Sequence, residues 1–275
     1  MKRGLTTLAL FVLGSAGLLA DVTVTTTTKM EGGPMAGMMT SPPQTVTRIR
    51  GNKQRTDMSV MGQTFSTIID LDAKQLIVLR ADNHTAQIVP FDAAAAAGST
   101  KPSMTLPKID GSLEPTGRTQ SIGGVSCDEY RFRMTVDMAN AGMAQMPPEV
   151  AQAMKDLKML MKGSVWMAKD VPGAAEYMAF QKAMSKANIV IPSVGRMGGA
   201  GSAGGVDRLS RLFTGNEGLA YMTEMEMSVE GSDPMVAMMN QTMAGMHVTN
   251  QVTNVSVAKI ADDAFTVPAD YKVVK

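Results

Sequence analysis

"YRFRMTV", residues 130–136, sets Tyr130, Phe132, Met134 and Val136 against Arg131, Arg133 and Thr135 in strict alternation. Successive side chains of a strand point to opposite faces, so this is a strand with one apolar face and one face in water. One-sided strands belong to antiparallel sheets, because the strands of parallel sheets are covered on both faces and read as unbroken apolar runs.

Upstream, the same period recurs in "DVTVTTTTKM" (21–30), "QTVTRIRG" (44–51) and "QRTDMSVMG" (54–62). "TFSTIIDLDAKQLIVLR" (64–80) reads as two strands turning at Asp72-Ala73-Lys74, and a sixth strand runs to Val89. These segments are too close for crossover helices, so they predict hairpins and meanders. Residues 31–43 and 92–103, rich in Gly, Ala, Ser and Pro without periodicity, are expected to be loops.

Downstream, "PPEVAQAMKDLKMLMK" places Val150, Met154, Leu157 and Met161 on one helical stripe, after prolines that suit a first turn. "VPGAAEYMAFQKAMSKAN" does the same with Tyr177, Phe180, Met184 and Ala187. Helices are therefore expected over 147–162 and 172–187, with the strand "GSVWMAKD" between them. A short helix "VDRLSRLF" (206–213) precedes the strand "GLAYMTEMEMSVEG" (218–231), where Met225, Met227 and Val229 alternate with Glu224, Glu226, Ser228 and Glu230. A last strand near 248–260 and a short C-terminal piece complete the chain.

The first twenty residues read as an export signal: Lys2 and Arg3, an apolar run from Leu8 to Leu13, and a small residue, Ala20, before Asp21. The expected product is a single domain over 21–275, periplasmic or secreted, and no later stretch reaches a membrane-spanning length. The formal charge of +1 falls by two when Lys2 and Arg3 leave, and so near-neutral a chain lacks the basic field that nucleic acid requires. Cys127 is the sole cysteine, which excludes an intramolecular disulfide and suits a buried thiol. Aromatic residues make up 4% of the chain while methionines number 27, so methionine covers surface that Leu, Ile and Phe ordinarily cover.

Catalytic chemistry finds little support. Gly199, Gly201 and Gly204 match a dinucleotide-binding glycine pattern, but Pro192 interrupts the strand that would precede it and the surroundings are antiparallel. No G-x-S-x-G elbow occurs, and His84 and His247 are the only imidazoles. His84 reads as a hairpin tip and Asp72 as a turn residue beside Asp70. No zinc or calcium spacing is present. An enzyme is not expected.

Copper is the one metal with a motif. "MVAMMNQTMAGMHV" (235–248) spaces Met235, Met238, Met239, Met243 and Met246 by three or four residues and ends beside His247, a soft ligand set that suits Cu(I). Met35, Met38, Met39, Met143 and Met146 form looser groups. Since methionines occur in every segment, the simpler expectation is that Met235, Met238, Met239 and Met243 pack or touch ligand, with His247 incidental.

Four stretches together resemble a known family: "GNKQRTDMSVMGQTFSTIIDLDAKQLIVL", "GRTQSIGGVSCDEYRFRM", "VWMAKDVPGAAEYMAFQKAM" and the closing "AFTVPADYKVV". Their order resembles the exported bacterial family known as domain of unknown function 4412, itself similar to the LolA/LolB lipoprotein carriers. The resemblance implies an α+β fold, a strongly curved antiparallel half-barrel whose open side is closed by amphipathic helices over an apolar cavity. The expected function is a non-enzymatic binder or carrier of a lipid, a lipidated protein or another hydrophobic molecule in the cell envelope. Tyr130, Phe132, Met134, Trp166, Phe180, Met225 and Met227 are the expected cavity lining. A periplasmic Cu(I)-binding protein and a structural envelope protein are the alternatives.

Overall fold

A computed structural model describes residues 21–32, 41–60, 62–91, 108–137, 152, 155–187, 218–243 and 245–274. The export signal, the methionines at 35, 38, 39, 143 and 146, the glycine-rich stretch around 199–204 and the helix expected at 206–213 lie outside the described residues.

Twelve strands form one unclosed, mostly antiparallel sheet. In chain order they are β1 (Val22–Glu31), β2 (Gln44–Arg50), β3 (Lys53–Val60), β4 (Gln63–Asp70), β5 (Gln75–Arg80), β6 (Thr85–Pro90), β7 (Lys108–Ile122), β8 (Val125–Asp137), β9 (Lys158–Ala168), β10 (Leu219–Glu230), β11 (His247–Ser256) and β12 (Lys272–Val274). Two helices, α1 (Ala174–Lys186) and α2 (Pro234–Met243), and a 3-10 turn at Asp262–Phe265 complete the described elements.

The meander β2–β6 follows the expected hairpins, and a second meander runs from β7 to β11. The two are joined by β1, which pairs with β2 on one side and β11 on the other. β12 adds to the edge beside β6 as the one parallel pair among the described residues. The sheet is curved: Leu76 of β5 and Ile122 of β7, nine positions apart in the strand order, belong to one buried cluster. Val22, Val24, Ile49, Ile69, Cys127 and Trp166 join them there, together with Phe180 of α1. Adjacent residues Ile68 and Ile69 are both buried, Ile69 in this cluster and Ile68 with Ile77, Leu79, Ile260 and Phe265. β4 and β5 are thus covered on both faces, one of them by the C-terminal segment.

Several turn and loop residues hold this arrangement. Asp70 accepts the N–H groups of Asp72 and Ala73, so Asp70 caps the bend, while Asp72 accepts from Asn52. His84 takes φ 49° at its hairpin tip, pairs with Asp270 at 2.8 Å and accepts Lys272 N–H on its carbonyl. This histidine fastens the C-terminal strand. Asp21 accepts the N–H of Ile260, and Cys127 is buried, its thiol pushed up by desolvation and by Asp128.

Two expectations are corrected. The helix over 147–162 does not extend as expected, because Lys158–Ala168 is strand β9. Met161 fits a strand face with Met159 as well as it fits the helical stripe, and pairing with β8 and β10 on both sides overrides the local helical spacing. β7, which no alternation announced, is a strand of 15 residues. Pro115 and Gly117 disguise it, and both are tolerated because β7 is an edge strand whose register shifts between Pro115 and Thr119.

In the first meander Arg48 lies directly opposite Arg55, a like-charge pair that is unfavourable on its own. Asp57 resolves it by binding both guanidinium groups and the Ser66 hydroxyl. Burial pushes the Asp57 carboxyl up, but the hydrogen bonds from Ser66 and Arg55 and the charges of Arg55 and Arg48 outweigh it and hold the pKa below the ordinary value. A depressed folded-state pKa means the stabilisation is complete above the unfolded value and is lost as pH falls through the folded one. Asp57→Asn is therefore expected to cost about 2 kcal/mol at neutral pH and progressively less on acidification. Urea midpoints of both proteins between pH 7 and acid, converging at the acid end, check this.

Candidate functional site

Strand β8 changes its buried side partway along. Cys127 and Glu129 are buried on the odd-numbered face, whereas Phe132, Met134 and Val136 are buried on the even-numbered one. Beyond Glu129 the odd-numbered face carries the exposed Arg131 and Arg133. Residues directly paired across strands share a face, so the register extends both surfaces over the neighbouring strands.

The even-numbered face is a methionine layer. Phe132 (3% exposed) and Met134 (0%) cluster with Val136 and Met161, and Leu113, Met159, Met225 and Met227 pack against them. Four expected lining residues, Phe132, Met134, Met225 and Met227, are brought together here. The other three are not. Trp166 pairs with Glu129, which puts it on the odd-numbered face, and it packs with Phe180 in the large central cluster. Tyr130 is half-buried. The expectation that all seven line one cavity is thus corrected for Trp166 and Phe180, because register places Trp166 across the sheet from Phe132.

The odd-numbered face forms an open groove of about 570 Å³. Two parallel rungs of side chains cross it. One runs Glu114, Arg131, Ser164, Glu224, Thr249, from β7 to β11. The other runs Ser112, Arg133, Lys162, Glu226, His247, and reaches Glu31 on β1. Lys162 and Glu226 form an ion pair at 3.0 Å. Glu31 binds Lys29, whose hydrogen bond and charge lower its pKa, with a smaller contribution from His247.

Glu129 anchors the inner end of this face. Its carboxylate, 4% exposed, accepts hydrogen bonds from Thr116 and Ser164 at 2.8 Å and pairs with Arg118 at 3.2 Å. Burial raises its pKa, and these partners, with Arg131, outweigh that and lower it. Arg118 also lies over the Trp166 ring, 5.6 Å from its centroid.

The methionine cluster at 235–246 is partly helical, as its spacing implied. Asp233 caps α2 by accepting Met235 N–H, and Pro234 occupies the first turn. Its packed side is carried by Val236, against Leu157 and Val229, with Met243 beside them. Met235, Met238 (67% exposed) and Met239 are exposed, so Met243 is the one of the four helical methionines that packs against this cluster. Met246 is half-buried beyond the helix. His247 lies in the groove, on the face opposite Val229, so the sheet separates it from the helix methionines. Among the described residues no cluster of His, Cys, Asp and Glu suits a metal ion, and no helix is long and apolar enough to cross a membrane.

The sheet is thus curved and unclosed, with an apolar layer on one face and a charged groove on the other. No family model matches the chain, and no curated protein matches it. It is similar to the crystal structure of the Mycobacterium tuberculosis lipoprotein LppX, at a TM-score of 0.31 and 10% sequence identity, with 86% of each chain covered. So distant a likeness decides neither fold nor function, and the resemblance to domain of unknown function 4412 rests on its four stretches.

The groove residues escaped the sequence reading. The alternation in "YRFRMTV" and "MEMSV" marked Arg131, Arg133, Glu224 and Glu226 as a solvated face, but only the register shows that they share one hollow.

Proposed function

We propose that this protein is an exported, non-enzymatic binder of a hydrophobic molecule, a lipid or a lipidated protein, in the cell envelope. The observation that carries the reading is the methionine layer: Met134, Met159, Met161, Met225 and Met227 surround Phe132 on one face of β8, β9 and β10. Unbranched thioether side chains repack around irregular apolar guests more readily than branched ones do. In this reading the guest seats on the methionine face, opposite the side on which α1 packs, and the residues before Asp21 direct export.

A second reading is favoured by one observation. Met235, Met238 and Met239 stand exposed on a single turn of α2, where three thioethers reach one soft cation such as Cu(I). Native mass spectrometry of protein purified from its own envelope separates the two. A lipid adduct lost on solvent extraction supports the first. One copper per chain, abolished in Met238→Leu/Met239→Leu, installs the second. Bare protein that also takes up no fluorescent lipid overturns the carrier reading.

A further inference from the structure

The charges in the groove do not all cancel. Lys162 is taken by Glu226 at 3.0 Å, and Glu31 by Lys29. Arg131 faces Glu114 across β7 and feels Glu129 on its own strand. Arg133 is compensated less: its directly opposite neighbours are Ser112 and Lys162, the second a like charge, Asp110 and Glu114 stand only diagonally from it on β7, and it forms no ion pair among the described residues. On the far wall the half-buried Glu224 faces Ser164 and Thr249 and likewise forms no ion pair among the described residues. An unfavourable pairing at Arg133 and an uncompensated carboxylate at Glu224 are both relieved by a ligand carrying the opposite charges.

The spacing sizes that ligand. Arg133 is on β8 and Glu224 on β10, two strand spacings or about 9.5 Å apart across the sheet and two residues or about 7 Å apart along it, so their Cα atoms stand about 12 Å apart. A fully extended tripeptide spans about 10 Å between its termini. The groove volume of about 570 Å³ lies in the ordinary range for small-molecule sites.

We infer that this groove binds short zwitterionic peptides, the α-carboxylate seated on the Arg133 guanidinium beside Ser112 and the α-ammonium at Glu224, with the peptide crossing β9 over Ser164. The fork of the guanidinium matches a carboxylate in two parallel hydrogen bonds. This site lies on the opposite face of the sheet from the methionine layer and stands or falls independently of it.

Calorimetric titration of trialanine into the mature chain tests the assignment, with N-acetyl-trialanine, trialanine amide and dialanine as comparison probes. Trialanine is expected to bind at least about tenfold tighter than either blocked form or dialanine, as loss of one charge-assisted contact implies. Arg133→Gln should weaken trialanine about tenfold and make amidation irrelevant. Glu224→Gln should do the same for N-acetylation. Both variants should retain the wild-type melting temperature, and Arg80→Gln, outside the groove, should bind as wild type. Equal affinity for free and blocked peptides, or unchanged binding in both variants, overturns the proposal. Binding of glycerophosphoethanolamine in place of trialanine overturns it in favour of a lipid headgroup.

Discussion

Phe132→Ala is expected to lower the stability of the ligand-free protein by about 3 kcal/mol, the low end of the range for removing a buried phenylalanine. The ring is 3% exposed and packs among Met134, Val136 and Met161. A cavity that stayed open would bring the cost toward 5 kcal/mol, but the surrounding thioethers can collapse into part of it. Against a total stability of about 5–15 kcal/mol, a loss of 3 is a large fraction and is easily read from urea midpoints. Phe132→Leu should recover most of the loss, since volume is nearly kept. A cost under about 1 kcal/mol would show that the ring borders open space in the free protein, and the layer would then be a standing pocket. The same variant titrated with a fluorescent lipid tests whether a guest enters this layer: altered probe affinity supports the carrier reading, and no uptake by the wild type leaves a structural core.

Alternation in the sequence suffices to locate this layer. "YRFRMTV" and "MEMSV" correctly group Phe132, Met134, Met225 and Met227, because a period of two is a property of the backbone and survives any tertiary context. The stripe Tyr177, Phe180, Met184 likewise locates α1, with Phe180 buried and the other two packed against the same cluster. Where local and tertiary preferences compete, the sequence misleads. Leu157 and Met161 fit a helix, yet Met161 is opposite Met134 in the sheet. Trp166 follows Val165 in one strand, and only the pairing with Glu129 shows which face it takes.

The groove was hidden for a different reason. Its second rung takes Ser112, Arg133, Lys162, Glu226 and His247 from five strands. Each alone reads as an ordinary solvated charge or hydroxyl. Their meaning lies in register, which depends on the shifts after Pro115 and Ala220 that no composition reveals. The C-terminal segment carries the same lesson: nothing in "RADNHTA" foretells that His84 meets Asp270 and Tyr271.

Gly163→Ala is expected to be at least as damaging as Phe132→Ala, although it adds a single methyl group. Gly163 pairs with Phe132 on β8 and Met225 on β10, at the centre of the second meander. A Cβ built there would lie 1.8 Å from the Glu224 carbonyl oxygen and 3.0 Å from the Met225 Cα. Both are backbone atoms of the neighbouring strand, so no rotamer change relieves the overlap. Either β10 moves away, breaking ladder hydrogen bonds on both sides of the contact, or the Glu224 peptide turns and leaves its carbonyl unpaired. Overpacking with side-chain neighbours costs about 1–3 kcal/mol, and a backbone clash belongs at or above the top of that range. Gly124→Ala is the proper comparison, because Gly124 has φ 84° but nothing within 4 Å of an added Cβ. It should cost only the left-handed penalty of about 1–2 kcal/mol. Urea unfolding of the two variants side by side separates close approach from backbone conformation. Equal losses would mean that β10 gives way to the methyl group freely, and the tight β9–β10 seam beneath the groove would then be no constraint on its shape.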